Sequence, residues 1–450
     1  MAADRVAPNP GSYSETSRQL VHMAMGGFAL LLRWIPWWQA VALAVGAIVF
    51  NLAVLPRVGG RIYRPGDRER GVHGIVYYPL AVLLLLLAFP RRLDIVAAAW
   101  GILAIGDGIA TLVGRAIGGP RWPWNRDKTV SGSAAFAIFG AAAGVGLAWW
   151  CRPAIVPPVS PLFSIVAPIV AAVAAALVET IPVRLDDNLS VAATAGTVLY
   201  LVSLASLGRV PAAGALAEAR LPAALAVNLL VAWTGHRART VSISGAVAGA
   251  VIGITIFVSV GWQGWTLLLI TFIAASIASR LGLKRKVLLG IAEERGGRRG
   301  AGNAIANCSV AAIAAIVALS APYTSAALLA LAAALTAGCS DTVASEIGKA
   351  WGRSTFLVTT FSRVKPGTPG AMSLEGTAAG LLAAFALAAV AVAFGLIPAS
   401  ATLAVVAGAM AGALVESALA ATLEGPGILN NDMLNFITTA IAAVVALAMS

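Results

Sequence analysis

Apolar segments of about twenty residues, each long enough to cross a hydrocarbon core, recur along nearly the whole chain. That recurrence predicts an all-α polytopic membrane protein. Composition agrees: 59% of the 450 residues are hydrophobic and 11% charged, too few charges to cover a soluble surface. The expected spans are 19–33, 38–56, 74–90, 95–113, 132–150, 162–181, 190–206, 221–235, 244–261, 264–282, 304–320, 323–340, 374–396, 400–422 and 431–449, about fifteen in all. The net charge of +12 resides in short loops, chiefly 57–70, 114–128, 182–189, 236–239, 280–299 and 341–373. With the N-terminus inside, these loops share one face, the cytoplasmic one, and Arg91-Arg92 is the main exception. This is the positive-inside pattern and argues against a nucleic-acid partner. Cys151, Cys308 and Cys339 lie in or beside apolar spans without metal-ligand spacing and read as small packing residues. The polar start reads as a cytoplasmic tail over 1–17 and carries no signal-peptide pattern.

Two stretches resemble each other. Asp107, Thr111 and Arg115 stand at i, i+4 and i+8, on one face of a helix; Asp341, Ser345 and Lys349 repeat the spacing. Gly114 and Gly348 precede the two bases. Downstream come basic residues and then a small-residue turn. In the first stretch these are Arg126 and Lys128, then Ser131-Gly132-Ser133; in the second they are Arg363 and Lys365, then Ser373 to Thr377. An acid, a hydroxyl and a base, followed by cationic donors and the free N–H groups of a helix start, suit a metal-bound polyphosphate. The two acid-bearing spans are an even number of spans apart, so the repeats run parallel and both sites open to one face. An inverted repeat would put them on opposite faces.

Each half adds a second acidic group at a similar interval: Glu179 with Asp186, Asp187 and Asn188, then Glu416 with Asn431 and Asp432. Glu346 lies within the second helix motif. Carboxylates from separate helices suit Mg²⁺, which takes oxygen ligands; capping of helix ends by Asp and Asn is the plainer reading. The second half alone carries Lys284-Arg285-Lys286, then a Gly- and Arg-rich run ending at Arg299, with Asn303 and Asn307 one turn apart. Arg299, Asn303 and Asn307 therefore join the candidate phosphate ligands. Arg18 and His22, one turn apart, and Arg70–Pro79 are the first half's counterparts. The apolar pattern weakens over 207–220, which marks a linker between membrane domains at 18–206 and 221–450.

Through RQLVH, GDGIATLVGR, RDKTVSGS and ETIPVRLDDNLSV, residues 18–206 resemble the phytol kinase and dolichol kinase family, which is distantly similar to CTP:phosphatidate cytidylyltransferases. Through RTVSISGAVAGAVIG, ERGGRRGAGNAIAN, SDTVASEIG, RVKPGTPGAMSLEGTAAG and NNDMLNF, residues 221–450 resemble the phytyl-phosphate kinase family. The resemblance implies a fusion. Its first half would phosphorylate an isoprenoid alcohol, its second would turn the monophosphate into the diphosphate, with CTP as donor. In that reading Asp107 and Asp341 are catalytic. Asp107, Glu179, Asp186, Asp187 and Asn188, then Asp341, Glu346, Glu416, Asn431 and Asp432, hold Mg²⁺. Thr111, Arg115, Arg126, Lys128, Ser131 and Ser133, then Arg299, Asn303, Asn307, Ser345, Lys349, Arg363, Lys365, Ser373 and Thr377, bind nucleotide or phosphate. The expected setting is a bacterial-type inner membrane with the sites facing the cytoplasm. No GxxxxGK[ST] loop is present, and nothing in the spacing selects cytosine. Two rival functions remain: a secondary transporter, whose charges belong at the midplane rather than at span ends, and a cytidylyltransferase acting on a lipid phosphate.

Overall fold

A computed structural model describes residues 15–55, 73–182, 185–291, 298–425 and 428–450. The basic loop 57–70, most of the tail, Arg184 and the run 293–297 lie outside the described residues. Within them the chain forms two compact units, residues 1–203 and 204–450.

Eleven helices among the described residues are long and apolar enough to cross a membrane, and Trp37–Ala53 and Ile75–Ala88 are shorter apolar helices. The expected span 19–33 departs from the pattern: an α-helix, Glu15–Met25, gives way to a 3-10 helix, Gly26–Arg33. Gly26 has Ala104 against it so closely that a Cβ would clash, and Gly27 follows, so a small-residue pair sits where the helix changes. The stretch 207–220 is not an extended linker. A short 3-10 turn, Leu207–Arg209, leads directly into the helix Val210–Arg237, with Pro211 in its first turn, where a missing N–H costs nothing. The fold is also not wholly helical, because Thr355–Leu357 and Ala371–Ser373 pair as a small antiparallel hairpin.

Each unit is built around one helix. In the first it is Leu93–Ile117, whose apolar window is 67% buried; in the second it is Thr324–Trp351, at 72%. Their neighbours in sequence, Val130–Ala154 and Leu374–Ala393, are 33% buried. The reason is legible in the residues. Ile95 to Ala99 and Leu329 to Leu335 are apolar on every side of the helix, and such a helix can satisfy all its faces only at a bundle centre. Alanine and glycine let the surrounding helices approach closely, which is how membrane helices gain packing without a hydrophobic drive. Gly380 lies against Ser340 and Ala344, and the Ser340 hydroxyl donates to the Gly380 carbonyl at 2.8 Å.

The central helix of the first unit is not regular. Ile102–Asp107 forms a π-helical turn between the α-helices Leu93–Gly101 and Gly108–Ile117. The Phe136 ring fills the space where a Gly106 side chain would stand, with a Cβ there only 3.0 Å from it. Asp107 closes this turn. Its counterpart Asp341 lies within an unbroken α-helix, and the second unit's π turn is Ala420–Glu424.

Candidate active sites

In both units the acid-bearing helix crosses the next helix at a glycine, and the same cap fixes the crossing. Thr129 caps the helix Val130–Cys151 by accepting from the Gly132 N–H at 3.1 Å, and Ser373 caps Leu374–Ala393 by accepting from Gly376 at 3.1 Å. A Cβ on Gly114 would stand 2.9 Å from the Thr129 hydroxyl; one on Gly348 would stand 2.9 Å from the Ser373 hydroxyl. Glycine before each base thus lets the capped helix start lie directly on the acid–hydroxyl–base face.

In the first unit, oxygens of Asp107, Glu179 and Asp187 lie within 4.8 Å of one another. The Lys128 ammonium bridges two of them, donating to Glu179 Oε1 at 2.5 Å and Asp187 Oδ2 at 2.9 Å. Burial alone would pull this ammonium down, but Glu179 and Asp187 outweigh it and hold Lys128 above the ordinary lysine value. Asp186 turns away to accept from the Asn188 N–H at 3.0 Å and its side-chain amide at 2.7 Å. Burial is the main cause that raises its carboxyl, with these two hydrogen bonds working against it. Asn188 thereby braces Asp186.

His22 reaches the same place from the first helix. Its Nε2 is 3.6 Å from Asp107 Oδ2 and 3.5 Å from the Leu103 carbonyl, and its ring meets Tyr78 edge-on at 4.5 Å. Trp100 donates to the Tyr78 hydroxyl at 2.7 Å, which fixes that ring in turn. The loop carrying Lys128 is pinned by two stacked indoles. Trp122 donates to Ser133 Oγ at 3.0 Å and Trp124 to Thr180 Oγ1 at 3.1 Å.

The other expected phosphate ligands of this unit are engaged differently. Ser131 donates to the Gly118 carbonyl, and Ser133 accepts from Trp122. Arg115 is largely exposed and pairs with Glu15 at 3.5 Å; Glu15, read as tail, is buried and also holds Arg18 at 2.6 Å and Gln19 at 3.1 Å. Arg126 is exposed, its carbonyl held by Arg121. Thr111 shares the Asp107 face, half-buried.

In the second unit Asp341, Ser345, Lys349, Ser373, Thr377, Glu416 and Asn431 line one cavity of about 210 Å³. Residues Pro366 to Ser373 close one side of it. Gly367 and Gly370 have φ of +87° and +73°, a backbone region natural to glycine, and a Cβ on Gly370 would collide with the Ser417 carbonyl. Glu424, at the end of the π turn, lines the cavity as well. It stands eight residues after Glu416, and that spacing was the signal available for it.

Seven expected ligands of the second site lie elsewhere. Glu346, 2% exposed, forms a buried ion pair with Lys286, 1% exposed, whose ammonium also donates to the Ser279 carbonyl at 2.8 Å. Glu346 is consumed in holding the Leu283–Leu288 helix through one oxygen, while its other oxygen lies 3.4 Å from the Lys349 ammonium. Arg299, Asn303 and Asn307 line a different cavity. Asp432 abuts Gly302, close enough that a Cβ there would strike its carboxylate. Arg363 and Lys365 are exposed, the guanidinium of Arg363 lying 5.7 Å from the Phe356 ring.

Comparison with known proteins adds to this geometry. Residues 226–443 match the family described as integral membrane protein DUF92. An uncharacterised membrane protein of Synechocystis is 38% identical over 200 residues, 44% of this chain and 78% of the relative. The chain belongs to the DUF92 family. Another relative is the chloroplast protein VTE6 of Arabidopsis thaliana, 37% identical over 236 residues, 50% of this chain and 71% of the relative. A probable phytol kinase of rice is 32% identical over 203 residues, 41% of this chain and 66% of the relative. The farnesol kinase of Arabidopsis thaliana is 27% identical over 201 residues, 41% of the chain and 64% of the relative. No solved structure matches the chain significantly. The protein is an integral membrane protein with kinase relatives that act, by their names, on isoprenoid alcohols.

Proposed function

We propose that the chain is a two-site membrane kinase. Residues 18–206 phosphorylate an isoprenoid alcohol of the phytol or geranylgeraniol type, and residues 221–450 phosphorylate the resulting monophosphate to the diphosphate. CTP is the donor, and both sites open to the cytoplasmic face of a bacterial-type inner membrane. The observation that carries this reading is the convergence of Asp107, Glu179, Asp187 and Lys128 at the ends of apolar helices, in a chain whose relatives include a farnesol kinase.

A prenyl alcohol partitions into the bilayer while a nucleotide stays in water, so the two must meet where polar groups cap apolar helices. The alcohol oxygen attacks the terminal phosphorus of the triphosphate. The bond from that phosphorus to its bridging oxygen breaks, and the nucleoside diphosphate leaves. The hydroxyl proton passes to the Asp107 carboxylate, which His22 orients from 3.6 Å. Lys128 neutralises charge on the transferring phosphoryl oxygens, where positioning and charge stabilisation supply most of the rate.

The three converging hard oxygens of Asp107, Glu179 and Asp187 fit Mg²⁺, and an ammonium already lodged between two of them marks the place as one that favours a cation. Bound there, Mg²⁺ supplies further neutralisation of phosphate charge. Asp341, Glu416 and Glu424 offer the corresponding oxygens around the second cavity, with Lys349 and Ser345 for phosphate.

The test uses purified protein in nanodiscs with Mg²⁺, CTP and geranylgeraniol, with products resolved by mass spectrometry. Wild type forms diphosphate, Asp107→Ala forms nothing from the alcohol, and Asp341→Ala accumulates monophosphate. Absence of nucleoside diphosphate release with any prenyl alcohol or monophosphate would sink the reading.

A further inference from the structure

The unit of residues 204–450 contains a second cavity, of about 120 Å³, that shares no lining residue with the Asp341 cavity. Five helices surround it: Val210–Arg237, Ile243–Val260, Trp262–Arg280, Ala301–Ser320 and Thr324–Trp351. Its walls are apolar, with Leu268 and Phe272 among them, and one wall is kept open by glycine and alanine. Gly249 lines it, and a Cβ built on Gly249 meets nothing within 4 Å. The asparagine of the apolar wall, Asn228, is already satisfied, donating to the Ala224 carbonyl at 2.8 Å and accepting from Trp265 at 3.0 Å.

Arg299 is different. Its backbone is locked by bonds to Thr240 and Ser242, each 3.0 Å, and its Nη2 donates to the Ala275 carbonyl and Ser279 Oγ, each at 3.3 Å. Its Nε–H is buried without an acceptor. A buried guanidinium donor left without a partner is costly and sets up an anion or acceptor site. The cavity therefore combines hydrocarbon walls with one cationic donor. It also lies beside the reaction: Gly338 forms part of its wall, three residues before Asp341 on the same helix.

We infer that this cavity holds the isoprenyl chain of the monophosphate substrate, with Arg299 facing its anionic end. The inference rests on the kinase reading for the identity of the ligand. It also reassigns Arg299, Asn303 and Asn307 from nucleotide binding to lipid recognition. The small residues of the wall set chain length: a side chain added at Gly249 occupies the volume that the distal isoprene units need.

The experiment measures equilibrium binding of radiolabelled geranylgeranyl and geranyl monophosphates to the full chain in detergent, without nucleotide, and diphosphate formation separately. In Gly249→Phe, and to a smaller degree in Gly249→Leu, geranylgeranyl monophosphate binding weakens roughly tenfold or more while geranyl monophosphate binding is kept. Val247→Phe, on the exposed side of the same helix, binds both as wild type does. Arg299→Gln weakens the monophosphate and leaves geranylgeraniol binding unchanged. Unaltered geranylgeranyl binding in Gly249→Phe overturns the inference, as does equal loss of both ligands or the same loss in Val247→Phe. Displacement of the probe by excess phosphatidate in mixed micelles overturns it too, since the cavity would then serve a membrane lipid. Failure of the kinase reading looks different: size-dependent binding persists and no diphosphate forms.

Discussion

The two acid-bearing helices carry the same motif, the same glycine and the same capped crossing, yet they end in unlike sites. In the first unit Lys128 bridges two of the three clustered carboxylates, and part of their charge is offset from within. In the second unit the acids line an open volume of about 210 Å³, and Lys349 has only a long 3.4 Å contact with Glu346. A site with its own internal cation suits an incoming group that is neutral, such as an alcohol. A site with room and an uncommitted ammonium suits one that already bears a phosphate. In the two-site kinase reading, the same helix crossing would serve two charge states of a ligand by changing where the counter-charge is held.

That contrast can be broken by substitution. The largest effect belongs to the acids. Asp107→Asn lowers alcohol phosphorylation by about 10²–10⁴-fold and leaves monophosphate turnover intact, while Asp341→Asn does the reverse, each read by product mass spectrometry with the matching substrate. Equal loss of both reactions in either variant would mean that the sites are not separate.

Next is Glu346→Ala, which strands the buried Lys286 ammonium and destabilises the second unit by about 3 kcal/mol or more. The measure is the thermal unfolding midpoint in detergent, and alcohol phosphorylation below that midpoint stays as in wild type. Lys128→Met costs less, about 2 kcal/mol, because the side chain keeps 27% of its exposure and Glu179 can draw in water. Adding Glu179→Gln recovers part of that loss. Since Lys128 is held above the ordinary lysine value, its contribution is fully present at neutral pH and fades only as pH rises through the raised value, so the Lys128→Met deficit shrinks on the alkaline side.

The smallest effects sharpen the likeness between the units. Gly114→Ala and Gly348→Ala each push on a cap hydroxyl from 2.9 Å and cost about 1 kcal/mol, the value of a helix cap. Unequal melting losses for this pair would show that the two crossings are not equivalent.

Much of this was legible in the chain. The i, i+4, i+8 spacing, the glycines before the bases and the small-residue helix starts are local patterns, and they reappear as one shared crossing. The similar interval to the second acid is a pattern of the same kind: Glu179 lies beside Asp107, and Glu416 lines the cavity of Asp341. What the pattern lacked was partner choice across long separations. Glu346 reads as a ligand until Lys286 is brought against it, and Arg299 reads as a phosphate donor until packing lines it along an apolar cavity. The π turn that ends at Asp107 leaves no compositional mark either; it lies where the Phe136 ring stands against Gly106. His22 had no local signal to raise it above an interfacial histidine.

The pairing of Lys128 with Glu179 and Asp187 also bears on how the protein is made. Translation delivers Leu93–Ile117, with Asp107, before the loop bearing Lys128 and the helix bearing Glu179 have left the ribosome. Asp107 therefore first meets His22, made earlier and 3.6 Å away in the folded chain, and Lys128 emerges before both Glu179 and Asp187. In the second unit Lys286 is synthesised ahead of Glu346, so the counter-ion of its central helix is waiting. In both units, then, the lysine is made before the carboxylates that it pairs with in the folded chain.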